Sequence, residues 1–311
     1  MPECLIITAV ADAFAEEVER LAETPIPVTA CKDAKQALEQ YSDQQILFGS
    51  PAMIAEVLPH MPGIEWIQSS WAGVTPLIEF ERRDYVLTGI KDVFGPQMSE
   101  YVVGFLLAHE LRILERAQMQ RERRWTHSVS GTLAGKRLGI MGTGSIGQHI
   151  ATTAASFGMT VTGLSRSGKS VAGFKKVSAV AQLHDFLENV DYLVSTLPQT
   201  SDTDGLLNER ALARLPAHAY FINVGRSNVV EDDALIDAVR HARLGGATLD
   251  VFDEEPLAED SPFWSTPNIF VTSHIAAISH PLLIVPIFVD NYIRYSNGQP
   301  LKYIVEFDHG Y

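Results

Sequence analysis

Arg226, Glu255 and His274 each follow the end of a predicted β-strand. In a parallel sheet the carboxyl ends of the strands meet at one edge, where ligands bind. An arginine there can hold a substrate carboxylate and polarise the adjacent carbonyl. A histidine can donate a proton to that carbonyl oxygen, and a glutamate bonded to the histidine favours its protonated form. Singly, each residue also suits an ordinary surface or strand-end position, but their joint placement indicates an active site.

A glycine-rich turn precedes these three residues and consists of Gly142, Thr143, Gly144, Ser145, Ile146 and Gly147. The apolar run 138–141 leads into the turn and a helix-like stretch, 145–157, follows it, which is the context of a dinucleotide site. Glycines let the backbone approach a pyrophosphate, and the unpaired N–H groups at the helix start favour its charge. The pattern predicts a nicotinamide cofactor, whose hydride would reach the carbonyl as His274 gives its proton.

The residues after the turn indicate which nicotinamide cofactor is preferred. Residues 148–184 contain no Asp or Glu, although an NAD site usually places one about 20 residues after the glycines, on the ribose hydroxyls. Ser165, Arg166 and Ser167 stand there instead, with Lys169 close behind. Arg166 can bind a ribose 2′-phosphate through its planar set of donors. We therefore expect NADPH to be preferred. The alternative is that Arg166 is a surface residue and that NADH is also accepted.

Short apolar runs alternate with helix-like stretches along the whole chain. This alternation predicts an α/β protein with parallel sheets and right-handed crossovers. The second half contains six predicted strands, the number in a complete doubly wound dinucleotide fold. The predicted strands are 5–10, 45–49, 64–69, 86–90, 138–141, 160–164, 191–196, 219–223, 246–251 and 268–273.

A Gly-Pro pair within residues 92–96 predicts the boundary between the two halves. After it, Ser99 is expected to cap one long helix that runs from Glu100 to about Arg121. Beyond His274, the apolar helix-like stretch 282–295 is expected to return and pack on the first domain.

Composition excludes several classes of partner. The net charge of −14 argues against a nucleic-acid or anionic-membrane surface, since either would require a basic face. No stretch is suited to span a bilayer, and the first residues lack the features of a signal peptide. Cys4 and Cys31 lack metal-site spacing, so no metal is expected. We therefore expect a cytoplasmic protein with no nucleic-acid or membrane partner.

Five motifs together resemble the D-isomer-specific 2-hydroxyacid dehydrogenase family and follow the family's order through the second half. They are the turn 142–147; Leu197-Pro198-Gln199-Thr200 with Thr203 and Gly205-Leu206; Asn223-Val224-Gly225-Arg226; Leu249-Asp250-Val251 with Glu255-Pro256-Leu257; and His274-Ile275-Ala276. Within the family the chain is most similar to the bacterial glyoxylate/hydroxypyruvate reductase A-type branch. Ser165-Arg166-Ser167, the stretch 274–279 and the final Gly310-Tyr311 carry that similarity.

The resemblance implies two doubly wound domains. A Rossmann cofactor domain, residues 97–279, would be inserted into a smaller flavodoxin-like substrate domain, residues 1–96 plus 280–311. It also implies a homodimer, with the long helix after the boundary at the interface.

The resemblance further implies roles for residues outside the glycine turn. In the substrate loop 70–74, the segment of Trp71, Ala72 and Gly73 would bind the substrate carboxylate through backbone N–H groups, alongside Arg226 and His274. Trp71 departs from the small residue of many members, and Thr75 replaces an acidic residue often seen after this loop. The implied cofactor contacts, besides the turn and residues 165–169, are Leu197, Pro198, Thr203, Val224, Gly225 and, near the nicotinamide carboxamide, Asp250.

Two functions remain open from the sequence. The first is NADPH-dependent reduction of a small 2-keto acid, of the glyoxylate or hydroxypyruvate type, to the D-2-hydroxy acid. The alternative is an NAD(P)-sensing, corepressor-like interaction protein of the same fold. The chain has neither a long polar tail nor a basic face for partners, which favours the reductase.

Overall fold

Parallel β-sheets flanked by helices build both structural units of the chain, for which a computed structural model describes residues 1–127 and 129–307. One unit comprises Met1–Val93 together with the chain from Ser279 onward, and the other comprises Phe94–Ile278. The final Gly310-Tyr311 pair of the family resemblance lies outside the described residues.

The first unit contains a five-stranded parallel sheet in the order β2-β1-β3-β4-β5, the flavodoxin-like arrangement. Its elements are β1 (Cys4–Ile7), α1 (Ala11–Leu21), β2 (Val28–Cys31), α2 (Ala34–Gln40), β3 (Ile46–Gly49), α3 (Pro51–Val57), β4 (Trp66–Ser69), α4 (Thr75–Ile78) and β5 (Val86–Thr88). The C-terminal segment adds the last helix of the chain, Pro281–Ser296, whose Phe288 stacks on Phe48 of β3 with ring centroids 4.4 Å apart. The predicted return of the chain to this unit is therefore confirmed.

The second unit contains a seven-stranded parallel sheet. Its helices and strands are α5 (Gly95–Glu110), α6 (Ile113–Arg121), β6 (Arg137–Met141), α7 (Ser145–Ser156), β7 (Thr160–Ser165), β8 (Lys176–Ala179), α8 (Leu183–Leu187), β9 (Tyr192–Ser195), α9 (Glu209–Leu212), β10 (Tyr220–Asn223), α10 (Asp232–Arg240), β11 (Gly246–Leu249) and β12 (Ile269–Val271); the C-terminal helix of the first unit is α11. The order β12-β11-β10-β9-β6-β7-β8 is the doubly wound dinucleotide arrangement with one strand added at its edge. The predicted fold class, two doubly wound α/β domains, is confirmed.

Two strands were absent from the sequence prediction, and the count of six strands in the second half was wrong. The missed strands, β2 and β8, are each four residues long and lie at an edge of their sheet. Central strands of a parallel sheet are apolar on both faces and are easily recognised. Strands β2 and β8 are partly exposed and carry polar residues, Thr29 in β2 and Lys176 and Ser178 in β8, so their residues do not form an apolar run.

The predicted long helix, capped by Ser99 and running to Arg121, was also wrong. Helix α5 begins at Gly95 with Pro96 at its first turn, where a missing N–H costs nothing. Ser99 is buried inside it and donates to the carbonyl of Gly95 at 2.8 Å. The helix ends at Glu110, because Arg112 adopts a left-handed backbone with φ of 53° before α6 starts.

Within residues 1–127 and 129–307, none of the helices combines the length and the apolar character that crossing a membrane requires.

Candidate active site

The glycine turn joins β6 to the twelve-residue helix α7. Gly142 has φ of 103°, and a Cβ there would collide with Thr196. A Cβ on Gly147 would collide with the carbonyl oxygen of Gly142, so this glycine lets the helix sit close to the turn. Gly144 precedes the helix, and nothing lies within 4 Å of the place a Cβ would occupy. The turn therefore leaves open space at a helix N-terminus, which fits a dinucleotide pyrophosphate.

The turn after β7 gathers the residues assigned to a ribose phosphate. The hydroxyl oxygen of Ser165 accepts from the N–H of Gly168 at 3.1 Å, and that of Ser167 accepts from the N–H of Lys169 at 3.4 Å. Each hydroxyl thus keeps its own hydrogen for another acceptor. Arg166 is exposed, and no carboxylate of the described residues forms an ion pair with it. Donors and positive charge are therefore available at this turn.

The segments after β9 and β10 lie against each other. A Cβ on Gly225 would meet the backbone of Leu197, so glycine is required for this close approach. Val224 beside it is buried. In the neighbouring loop, the Thr203 hydroxyl donates to the carbonyl of Pro198 at 2.8 Å and closes a tight turn. The structure thus brings these predicted cofactor residues onto adjoining loops at the carboxyl ends of two paired strands.

Arg226 is presented by a short loop that Asn223 organises. The Asn223 side chain accepts from the N–H of Gly225 at 3.1 Å and donates to the carbonyl of Arg226 at 3.0 Å. Burial lowers the pKa of the Arg226 guanidinium, and the charge of Glu255 acts in the opposite direction. Arginine remains cationic at any physiological pH. The site therefore holds a half-buried positive charge with a carboxylate near it.

His274 and Glu255 form a direct pair. The imidazole Nδ1 lies 2.8 Å from Oε2 of Glu255, and the other carboxylate oxygen accepts from the N–H of Phe252 at 3.0 Å. An ionised carboxylate can only accept, so Nδ1 carries a hydrogen and Nε2 is the nitrogen that can pass a proton to a substrate. Both side chains are 35% exposed, so both are accessible from solvent.

Asp250 is buried where β11 ends, and its carboxylate is held by protein donors. Its Oδ1 accepts from the hydroxyl of Thr272 at 2.6 Å and from the N–H of Ile275 at 2.9 Å. Its Oδ2 accepts from the N–H of Ala276 at 2.8 Å. A carboxylate oxygen can accept twice, so Oδ2 keeps one lone pair for the predicted carboxamide contact.

The predicted substrate loop follows β4 in the other unit. The buried hydroxyl of Ser69 donates to the carbonyl of Trp71 at 2.7 Å and accepts from its N–H at 3.0 Å. Trp71 is 46% exposed, and Ala72 is exposed as well. The role of Trp71, Ala72 and Gly73 in carboxylate binding remains a prediction.

The structure brings Glu255 and His274 into contact and places Arg226 within reach of the Glu255 charge. Sequence reasoning assigned no role to Asn223, Thr272 or Tyr101, although Asn223 shapes the Arg226 loop and Tyr101 lies 2.6 Å from the Thr272 hydroxyl. Asn223 adjoins the arginine motif and could have been found there. Tyr101 lies about 170 residues from its partner, so no local pattern reveals it.

Comparison with known proteins identifies relatives over most of the chain. Residues 103–276 match the family model described as D-isomer specific 2-hydroxyacid dehydrogenase, NAD binding domain. Glyoxylate/hydroxypyruvate reductase A of Serratia proteamaculans (strain 568) is 32% identical over 265 residues, covering 82% of this chain and 84% of the relative.

Two crystal structures extend the likeness to the fold. A D-isomer specific 2-hydroxyacid dehydrogenase family protein from Aeromonas salmonicida subsp. salmonicida A449 matches with a TM-score of 0.95 and 38% identity over 99% of each chain. An NADPH-dependent glyoxylate/hydroxypyruvate reductase from Sinorhizobium meliloti, solved in complex with NADP and sulfate, matches with a TM-score of 0.88 and 27% identity over 100% of each chain.

Proposed function

Because the chain belongs to the D-isomer specific 2-hydroxyacid dehydrogenase family and is an enzyme that uses a nicotinamide cofactor, we propose that it reduces a small 2-keto acid to the D-2-hydroxy acid with NADPH. The names of its relatives support substrates of the glyoxylate or hydroxypyruvate type. The NADP held by the Sinorhizobium neighbour supports the choice of cofactor.

The observation that carries this proposal is the 2.8 Å pair of His274 and Glu255 beside the Arg226 charge. Arg226 binds the substrate carboxylate and polarises the adjacent carbonyl. The His274 imidazole donates the proton on Nε2 to the carbonyl oxygen, while Glu255 stabilises the imidazolium and fixes the ring. When bound, the nicotinamide supplies the hydride to the carbonyl carbon.

The residues after β7 support NADPH over NADH. Arg166 has no acidic partner among residues 1–127 and 129–307, and two serine hydroxyls beside it can donate. A carboxylate at this turn would repel a 2′-phosphate, but residues 148–184 contain none.

We expect purified protein to consume NADPH when glyoxylate or hydroxypyruvate is added, and to form the D isomer of the hydroxy acid from hydroxypyruvate. Glycolate is achiral, so the stereochemistry must be read from hydroxypyruvate, by chiral chromatography of the product. Loss of NADPH absorbance measures the rate. Absence of turnover with every acid of a 2-keto acid panel would favour the cofactor-sensing alternative.

The same assay, run with both cofactors, tests the preference. Replacing Arg166 with serine should lower kcat/KM for NADPH by about tenfold to a hundredfold, since a charge-assisted hydrogen bond to phosphate is lost. The value for NADH should hardly change. Lys175→Ser is the matched control, because this exposed cation lies at the opposite end of the β7–β8 pair. Equal kcat/KM for NADPH and NADH in the unmodified protein would contradict the preference.

We also propose a homodimer formed through the segment that follows α5. Five large apolar side chains of this segment are exposed: Leu111, Ile113, Leu114, Trp125 and Val129. Exposed apolar side chains in such number commonly mark a contact surface. Light scattering of the unmodified protein should give twice the mass of one chain. The double variant Leu114→Asp, Trp125→Ser should give a lower mass, closer to that of one chain. A monomer at micromolar concentration would overturn the proposal.

A further inference from the structure

His274 stands in a strained turn that its neighbours must hold. Its φ of 55° lies in the left-handed region, which residues other than glycine adopt rarely and at a cost. The backbone from His274 to Ala276 is tied to Asp250 by three hydrogen bonds. The His274 N–H donates to the Asp250 carbonyl at 2.9 Å, and the next two N–H groups donate to the Asp250 carboxylate. The position of the imidazole therefore depends on where the Asp250 side chain lies.

Thr272 supplies the third hydrogen bond to that carboxylate. Its hydroxyl lies 2.6 Å from Oδ1 of Asp250 and 2.6 Å from the hydroxyl of Tyr101. Since the carboxylate can only accept, the one hydrogen of Thr272 points to Asp250. Tyr101 must then be the donor to Thr272. Burial raises the pKa of Tyr101, so its phenol remains a donor throughout the working pH range.

We propose that Tyr101, Thr272 and Asp250 form a directional hydrogen-bond chain through which helix α5 positions the His274 imidazole. Its kinetic consequence rests on the proposed role of His274 as proton donor. Tyr101 and Thr272 are positioning residues, because they act on the imidazole through Asp250. Both residues lie in the same structural unit as His274, so this unit contains every member of the hydrogen-bond chain.

The kinetic test removes one hydroxyl at a time. Tyr101→Phe and Thr272→Val should each lower kcat by about tenfold, because small displacements of a catalytic group cost large factors in rate. The KM for NADPH should change less than kcat does, since neither side chain belongs to the turns assigned to the phosphates and Thr272 bonds Oδ1 of Asp250, not the Oδ2 assigned to the carboxamide. Thr272→Ser, which keeps the hydroxyl, should restore kcat.

A matched control exists in the same unit. Tyr220 is buried, and its hydroxyl lies 2.8 Å from the hydroxyl of Thr248. Tyr220→Phe therefore removes a comparable tyrosine–threonine bond, and among the described residues Thr248 forms no hydrogen bond with the Asp250 carboxylate. Its kcat should equal that of the unmodified protein. An equal loss of kcat in Tyr220→Phe would show that general destabilisation is responsible and would overturn the proposal.

Amide hydrogen exchange tests the proposed hydrogen-bond chain in the absence of substrate. The amides of Ile275 and Ala276 should exchange about fivefold faster in Tyr101→Phe and Thr272→Val, because one net hydrogen bond no longer supports their acceptor. If the unmodified protein reduces no 2-keto acid, the proposed function fails. Faster exchange of these two amides in the variants would still support the proposed hydrogen-bond chain. Variants that keep both kcat and the exchange rates of these amides would refute it.

Discussion

Alanine in place of His274 is expected to lower kcat for keto-acid reduction by about a hundredfold to ten-thousandfold, the usual contribution of a positioned acid. The reason is the pair with Glu255 at 2.8 Å, which orients the ring and leaves Nε2 as the proton donor. The residual rate reflects hydride transfer without assistance at the carbonyl oxygen. Affinity for NADPH should change little, because the turns proposed to bind the phosphates follow other strands, β6 and β7. Stopped-flow single turnovers and fluorescence titration of NADPH separate the two quantities.

A second histidine–carboxylate pair in the same unit provides the control. His241 lies 2.9 Å from Asp237, and its side chain is 68% exposed. His241→Ala removes a pair of similar geometry at the end of α10 and should leave kcat unchanged. The kcat of Glu255→Gln should lie between those of His274→Ala and His241→Ala. The amide keeps a hydrogen-bonding oxygen but loses the charge that favours imidazolium. Undiminished turnover in His274→Ala would remove this residue from the mechanism.

The parts of the site that the sequence predicted are those set by local chemistry. The glycine turn requires glycine at Gly142 and Gly147, where a Cβ would collide with neighbouring atoms. Arg226, Glu255 and His274 could be placed at one edge because chain direction alone determines where parallel strands end. Neither prediction needed knowledge of which strands are neighbours.

The parts that were missed depend on contacts between distant segments. Strands β2 and β8 form only because a central strand supplies partners for them. The break before α6 depends on the left-handed Arg112, at which the helical repeat of the sequence gives no signal. Tyr101 and Thr272 meet through the packing of α5 against the sheet, which a single sequence cannot reveal.

Replacement of Arg226 by glutamine is expected to raise the KM for the keto acid by about a hundredfold or more, since truncating a partially buried charge pair costs several kcal/mol. The substrate carboxylate would lose its counter-charge and would face the negative Glu255, whose charge now acts on Arg226. Arg226→Lys should recover part of the loss, because lysine keeps the charge but not the planar pair of donors. NADPH affinity should remain within about threefold, a difference of less than one kcal/mol.

The charge of the substrate gives the sharper test of the Arg226 role. The unmodified protein should prefer a 2-keto acid over its uncharged amide by about a hundredfold, and Arg226→Gln should lose most of this preference. A merely structural defect would lower both rates together and leave their ratio unchanged. Arg210→Gln, at an exposed arginine on α9, is the matched control and should keep the ratio of the unmodified protein. If Arg226→Gln keeps the acid-to-amide rate ratio of the unmodified protein, another group binds the substrate carboxylate. Arg226 would then have a structural role only.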